Sequence, residues 1–140
     1  VNFNYPEFDT DFIFISNLRR YKELDKDMCK KCIITSNITN DGAYLQTKYR
    51  DLLTDVESVR DNAGLMAINF FRAYGVYEVM LAGFDGYSHD IKENFANDNM
   101  TFILKNAVFD AFNEGMSQVL REYNKEIKIS FLTEPKHVKL

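Results

Sequence analysis

Between Leu65 and Tyr74 only Asn69 and Arg72 interrupt an apolar run, and Gly75 closes it. Read at helical spacing, that run has no polar face to give to water, so other elements must pack around it. Asp61 or Asn62 can cap the helix, Ala63 and Gly64 fill its first turn, and Gly75 suits the residue that stops it. Apolar runs without helical spacing stand to either side: Asp11-Phe-Ile-Phe-Ile-Ser16, Cys32-Ile-Ile-Thr-Ser36 and Val79-Met-Leu-Ala82. All three read as strands, the first two buried, as in a parallel sheet covered by helices.

The other elements are lighter. Leu18 to Leu24 reads as a short polar helix, Asn40-Asp-Gly42 as a turn, and Ala43 to Tyr49 as a third, more polar strand. Thr54-Asp-Val-Glu57 has the form of a capping box. A tight Gly83-Phe-Asp-Gly-Tyr-Ser88 loop follows the Val79 strand, and His89 to Asn99 is a polar spacer. From Met100 to Tyr123 the apolar positions keep helical spacing. Gly115 inside that helix costs about 1 kcal/mol relative to Ala unless close packing compensates. Strands alternating with helices imply parallel βαβ units. The expectation is one mainly parallel sheet with strands from Asp11 to Ser16, Lys31 to Ser36, Val76 to Ala82 and Lys128 to Leu132. Helices from Ala63 to Tyr74 and from Met100 to Tyr123 cover it. Residues 1–140 read as a single α/β domain, without repeat or linker.

Composition narrows the class. Apolar residues make up 46% of the 140, enough for a packed core. A net charge of −4 and a pI near 5.2 lack the basic footprint of a nucleic-acid binder. No apolar run reaches the ~18 residues of a membrane span, and no leader pattern opens the chain. Two cysteines make no disulfide framework, so a reducing cytoplasm is the expected location. Val1 in place of Met predicts a piece of a longer protein.

In an open parallel sheet, ligands bind beyond the carboxyl ends of the strands. Polar residues recur there: Asn17, then Ser36 and Asn37, then Asp85 and Tyr87. Asn62 and Gly64 open a helix, where free N–H groups favour an anion. Asn side chains both donate and accept, which suits ribose hydroxyls and base edges. Asn and Asp also end strands and start helices for turn reasons alone; only as a set do these residues point to a ligand. Asp85 beside a phosphate would repel it, and so is expected to orient its loop or hold a sugar hydroxyl or cation. Cys29-Lys-Lys-Cys32 has no second pair for zinc and precedes a strand, unlike a thioredoxin motif. His89, Asp90 and Glu93 read most simply as a polar loop and His137 as part of a solvated tail, so no metal site is expected. Walker A, G-x-G-x-x-G and G-x-S-x-G patterns do not occur.

The segment from Asn62 to Tyr87, with its Ala63-Gly64 opening, Gly75 stop and Gly83-Phe-Asp-Gly-Tyr87 ending, resembles one shared by two related families. These are the bacterial α-2,3-sialyltransferases and the 6-hydroxymethylpterin diphosphokinase-like proteins of surface-glycan and motility loci. Val1-Asn2, Phe14-Ile-Ser-Asn17, Cys32-Ile-Ile-Thr-Ser-Asn37 and Ile129-Ser-Phe-Leu132 resemble further strands of the same families. The resemblance implies a three-layer Rossmann-like fold, truncated at its N-terminus, whose first strand and Gly-rich phosphate loop lie upstream. It implies that Asn2 and Asn17 contact a nucleotide, Asn62 and Gly64 its sugar or phosphate, and that Tyr87 donates its hydroxyl to the phosphate. The sialyltransferases' catalytic His has no counterpart among Asn97-Asp-Asn-Met100, which argues against sialyl transfer. Asp11 to Arg20 and Asp61 to Ser88 also resemble the C-terminal domain of predicted bacterial aldolases. Those begin with a metal-dependent barrel like that of HMG-CoA lyase or 4-hydroxy-2-oxovalerate aldolase.

Two functions follow. One is a nucleotide- or phosphate-ligand-binding module of a bacterial polysaccharide-biosynthesis protein attached to an aldolase-like barrel. Its implied ligand is a nucleotide or nucleotide-sugar, with any divalent metal held in the upstream barrel. The other is a non-catalytic accessory or dimerisation domain of that aldolase, itself without cofactor. The expected partners are the upstream barrel and a second copy of the chain, with no nucleic acid and no membrane.

Overall fold

A computed structural model describes residues 1–2, 7, 9–94 and 108–140. The chain is α/β, and every strand pairing among the described residues is parallel. It divides into two compact units: Val1–Leu53 with Asp61–Phe70, and Thr54–Arg60 with Phe71–Leu140.

The first unit is built on β1 (Ile13–Ile15), β2 (Cys32–Thr35) and β3 (Leu45–Thr47), in that spatial order. Ile13 faces Cys32 in the ladder, and Ile33 faces Leu45. β1 and the central β2 are buried at every position, as their uninterrupted apolar runs require. Two short helices, α1 (Leu18–Lys22) and α2 (Lys26–Cys29), link β1 to β2. Their Tyr21, Met28 and Cys29 pack with Leu24, Ile38 and Ala43 against Ile13, Ile15, Cys32 and Ile34, one face of the sheet. On the opposite face Phe14 meets Phe70 of α3 (Ala63–Ala73), ring centroids 6.2 Å apart. The passage from β2 to β3 has no helix. It turns at Gly42, φ +95°, and Asn40 Oδ1 accepts from Ala43 N at 2.9 Å.

The second unit holds β4 (Glu78–Leu81) and β5 (Lys128–Phe131), paired with Glu78 opposite Lys128, and α4 (Phe109–Tyr123). α4 buries Met116, Val119, Leu120 and Tyr123 on its apolar stripe. Gly115 lies on that stripe against the 3₁₀ turn Glu57–Val59. Arg72 stands over the Tyr123 ring at 4.6 Å and pairs with Glu126 at 2.9 Å.

Several expectations need correction. Among the described residues the strands form two hydrogen-bonded sheets, β1, β2 and β3 in one, β4 and β5 in the other. Each strand is shorter than its apolar run, because Asp11, Phe12 and Ser36 are exposed and lie outside the ladders. The short helix after β1 breaks into α1 and α2, since Asp25 caps a new turn through Asp27 N and Met28 N. Thr54-Asp-Val-Glu57 is not a capping box. The buried Thr54 hydroxyl donates to the Val56 and Val59 carbonyls, and the turn that follows has no side-chain cap. In the tail beyond Pro135 the His137 side chain is exposed, as expected, while its backbone N–H donates to Asp85 O at 2.8 Å and Val138 is 2% exposed. Of the helix read from Met100, residues 100–107 lie outside the described residues; 109–123 are helical.

Candidate functional site

Because β1, β2 and β3 run parallel, their carboxyl ends share one edge, and the residues just beyond them meet there. Ser16 is the meeting point. Its N–H donates to Asn2 Oδ1 at 2.9 Å, and its carbonyl accepts from Asn37 Nδ2 at 3.1 Å. Asn2 also donates its backbone N–H to Phe14 O at 2.8 Å, and it holds a left-handed φ of 53° that Asn tolerates. Asn37 Oδ1 accepts from the buried Thr35 hydroxyl at 2.5 Å, which fixes which way its amide points. Asn2, Ser16 and Asn37 are thus one connected polar group at the sheet edge.

Beside them, Ser36, Asn37, Lys48, Tyr49, Arg50 and Asp51 line a cleft of about 370 Å³. The first two follow β2 and the other four follow β3. Tyr49 N donates to Ser36 Oγ at 3.1 Å, joining the two strand ends across the cleft. That volume lies within the roughly 300–1,000 Å³ of small-molecule sites. Lys48 and Arg50 were not singled out in the sequence. A strand read from Ala43 to Tyr49 takes in Lys48, whereas β3 ends at Thr47, so both residues follow its carboxyl end.

Asn17 and Asn62 have other engagements. Asn17 Oδ1 caps α1 by accepting from Arg19 N and Arg20 N. Asn62 Oδ1 accepts from Gly64 N at 3.0 Å and Leu65 N at 3.1 Å, capping α3. The N–H groups expected to hold an anion at Gly64 are therefore served by the chain itself.

Asp85 and Tyr87 belong to the second unit. Tyr87 stacks on Phe109, centroids 5.5 Å apart and planes 9° from parallel, and tilts against Phe112. Burial raises its hydroxyl pKa above the ordinary tyrosine value. Its backbone is clamped: Asn113 Oδ1 accepts from Tyr87 N at 2.7 Å while Asn113 Nδ2 donates to Tyr87 O at 2.8 Å. Asn94 holds Ser88 the same way, at 2.6 and 2.9 Å. Gly86, φ +84°, admits this approach, since a Cβ there would meet Asn113 Oδ1 at 2.6 Å. Asp85 lines a smaller cavity of about 100 Å³ with Gly86, Ser88, Glu93, Asn94, Lys136 and His137. His89 pairs with Asp110 at 2.9 Å. Among the described residues no group of three or more His, Cys, Asp or Glu could hold a metal ion. No helix among them is long and apolar enough to cross a membrane.

No protein-family model, curated protein or solved structure matches the chain.

Proposed function

We propose that the chain is a nucleotide- or phosphate-ligand-binding α/β module of three-layer Rossmann-like type, its ligand lying at the carboxyl edge of β1, β2 and β3. The observation that carries this reading is the cleft itself. It lies where parallel sheets bind ligands, and its polar wall, Ser36 and Asn37, joins the Asn2–Ser16 group. Helices α1 and α2 on one face of that sheet and Phe70 of α3 on the other support the layered reading. The proposed setting is the one the resemblance implies: a cytoplasmic bacterial polysaccharide-biosynthesis protein with an aldolase-like barrel upstream. A second reading, an accessory or dimerisation domain without a ligand, draws support from Asn17 and Asn62, whose side-chain oxygens serve as helix caps.

A thermal-shift screen with nucleoside mono- and diphosphates and nucleotide-sugars decides between them. A ligand that binds the folded chain stabilises it by about 2.7 kcal/mol at one hundred times Kd, roughly 5–10 °C in Tm. Asn37→Ala should remove most of that rise while the protein stays folded. A Tm unmoved by every compound at millimolar concentration would leave the accessory-domain reading.

A further inference from the structure

Four side chains able to donate hydrogen bonds, Ser36, Asn37, Lys48 and Arg50, border the cleft beyond β2 and β3, and we infer that it takes the phosphate of a phosphomonoester, held between Lys48 and Arg50. The inference rests on the ligand-binding reading and adds the chemistry that reading leaves open. Among the described residues neither the Lys48 ammonium nor the Arg50 guanidinium has an ion-pair or hydrogen-bond partner, and both are exposed. Asp51 on the same lining offsets one of these charges, so the cleft stays net positive in a chain of net charge −4.

The neutral wall points the same way. Ser36 Oγ already accepts from Tyr49 N, which leaves its O–H to donate. Asn37 Oδ1 is occupied by the Thr35 hydroxyl and one hydrogen of Nδ2 by the Ser16 carbonyl, which leaves the second amide hydrogen to donate. A hydroxyl, an amide N–H, an ammonium and a guanidinium bordering one cleft call for a ligand group that only accepts and carries negative charge. Phosphate oxygens meet both conditions, and the planar Arg fork can grip two of them at once. A cleft of about 370 Å³ has room for the phosphate and a sugar-sized neutral part beside it. This places the phosphate on the β3 side, rather than at Gly64, whose N–H is taken by Asn62.

The test is an amide NMR titration of the full chain with phenyl phosphate, with phenol as the uncharged control and the nucleoside monophosphates run in parallel. Saturable shifts should fall at Ser36, Asn37 and 48–51 with phenyl phosphate and not with phenol. In folded Lys48→Gln/Arg50→Gln the affinity should drop about tenfold or more, the loss of a hydrogen bond to a charged group. Shifts that saturate elsewhere, or a double variant that binds as the native chain does, would overturn the phosphate position. If nucleotides bind normally to the double variant, only this inference falls. If neither phenyl phosphate nor any nucleotide binds, both fall. If phenyl phosphate binds through Lys48 and Arg50 and nucleotides bind no tighter, the phosphate site stands and its nucleotide character is lost.

Discussion

Cys32 shows how one residue sets a property of the fold. It is fully buried at the start of β2, its thiol donating to Met28 O at 3.3 Å. Burial, reinforced by Cys29 nearby, pushes its pKa from 9.0 to about 11. The folded chain therefore favours the neutral thiol, whereas the unfolded chain ionises it earlier. The stability this contributes is complete below pH 9 and is lost as pH climbs toward about 11. Tyr21, Tyr87 and Tyr123 are also raised, chiefly by burial, but from 10.0, so they add their losses later. Thermal melts should show Tm declining from near pH 9, and in Cys32→Ala the onset should move toward pH 10 at lower overall stability. An onset that does not move would mean that another group titrates there. A thiol kept neutral at physiological pH is a packing group, in line with a C-x-x-C that leads into a strand.

Among the elements, α4 carries the plainest lesson. Gly in a helix interior ordinarily costs about 1 kcal/mol, and replacing it with Ala ordinarily recovers that. Here a Cβ on Gly115 would run into Ser58 Oγ and lie 3.1 Å from Val59 Cγ2 and 3.2 Å from Val56 Cγ1. Ser58 is held by its own bond to the Ala111 carbonyl, 3.0 Å. Gly115→Ala should therefore destabilise, by about 1–3 kcal/mol in denaturant melts, as overpacking does. Ser58→Gly in the same chain should recover part of the loss. A stabilised single variant would show that the turn yields freely. The sequence could show that Gly115 needed a reason; only the fold supplies Val56, Ser58 and Val59 as that reason. Strand and helix identities were legible from the apolar period, which follows burial in β1 and β2 but not in β4, where Met80 is 66% exposed. The end of α1 and the false capping box were not, because Asp25 and Thr54 choose among local hydrogen bonds that spacing does not rank.

Over the whole molecule, what could be read was position along the chain, and what could not was which partner each side chain takes. Asn2, Asn17, Asn37 and Asn62 look alike as residues near strand or helix ends, yet two bind around Ser16 and two cap helices. Lys48 and Arg50 went unnoticed because β3 is only three residues long and weakly apolar, so its end was faint. The Asn clamps on Tyr87 and Ser88 lay further out of reach, since Asn113 is 26 residues from the loop that it holds. They give that loop a kinetic signature. Backbone amides of irregular segments normally trade their hydrogens with solvent quickly, whereas those of helices and ladders trade slowly. Tyr87 and Ser88 belong to neither, yet each N–H is spent on a side-chain amide. In a hydrogen–deuterium exchange map of the full chain they should stand out as a slow island, and Asn113→Ala should release Tyr87 while Ser88 keeps its protection. Fast exchange at Tyr87 in the native chain would show that the clamp does not persist in solution. A loop frozen in this manner gives up no entropy of its own when something docks against it, so whatever meets Asp85 meets a surface already set.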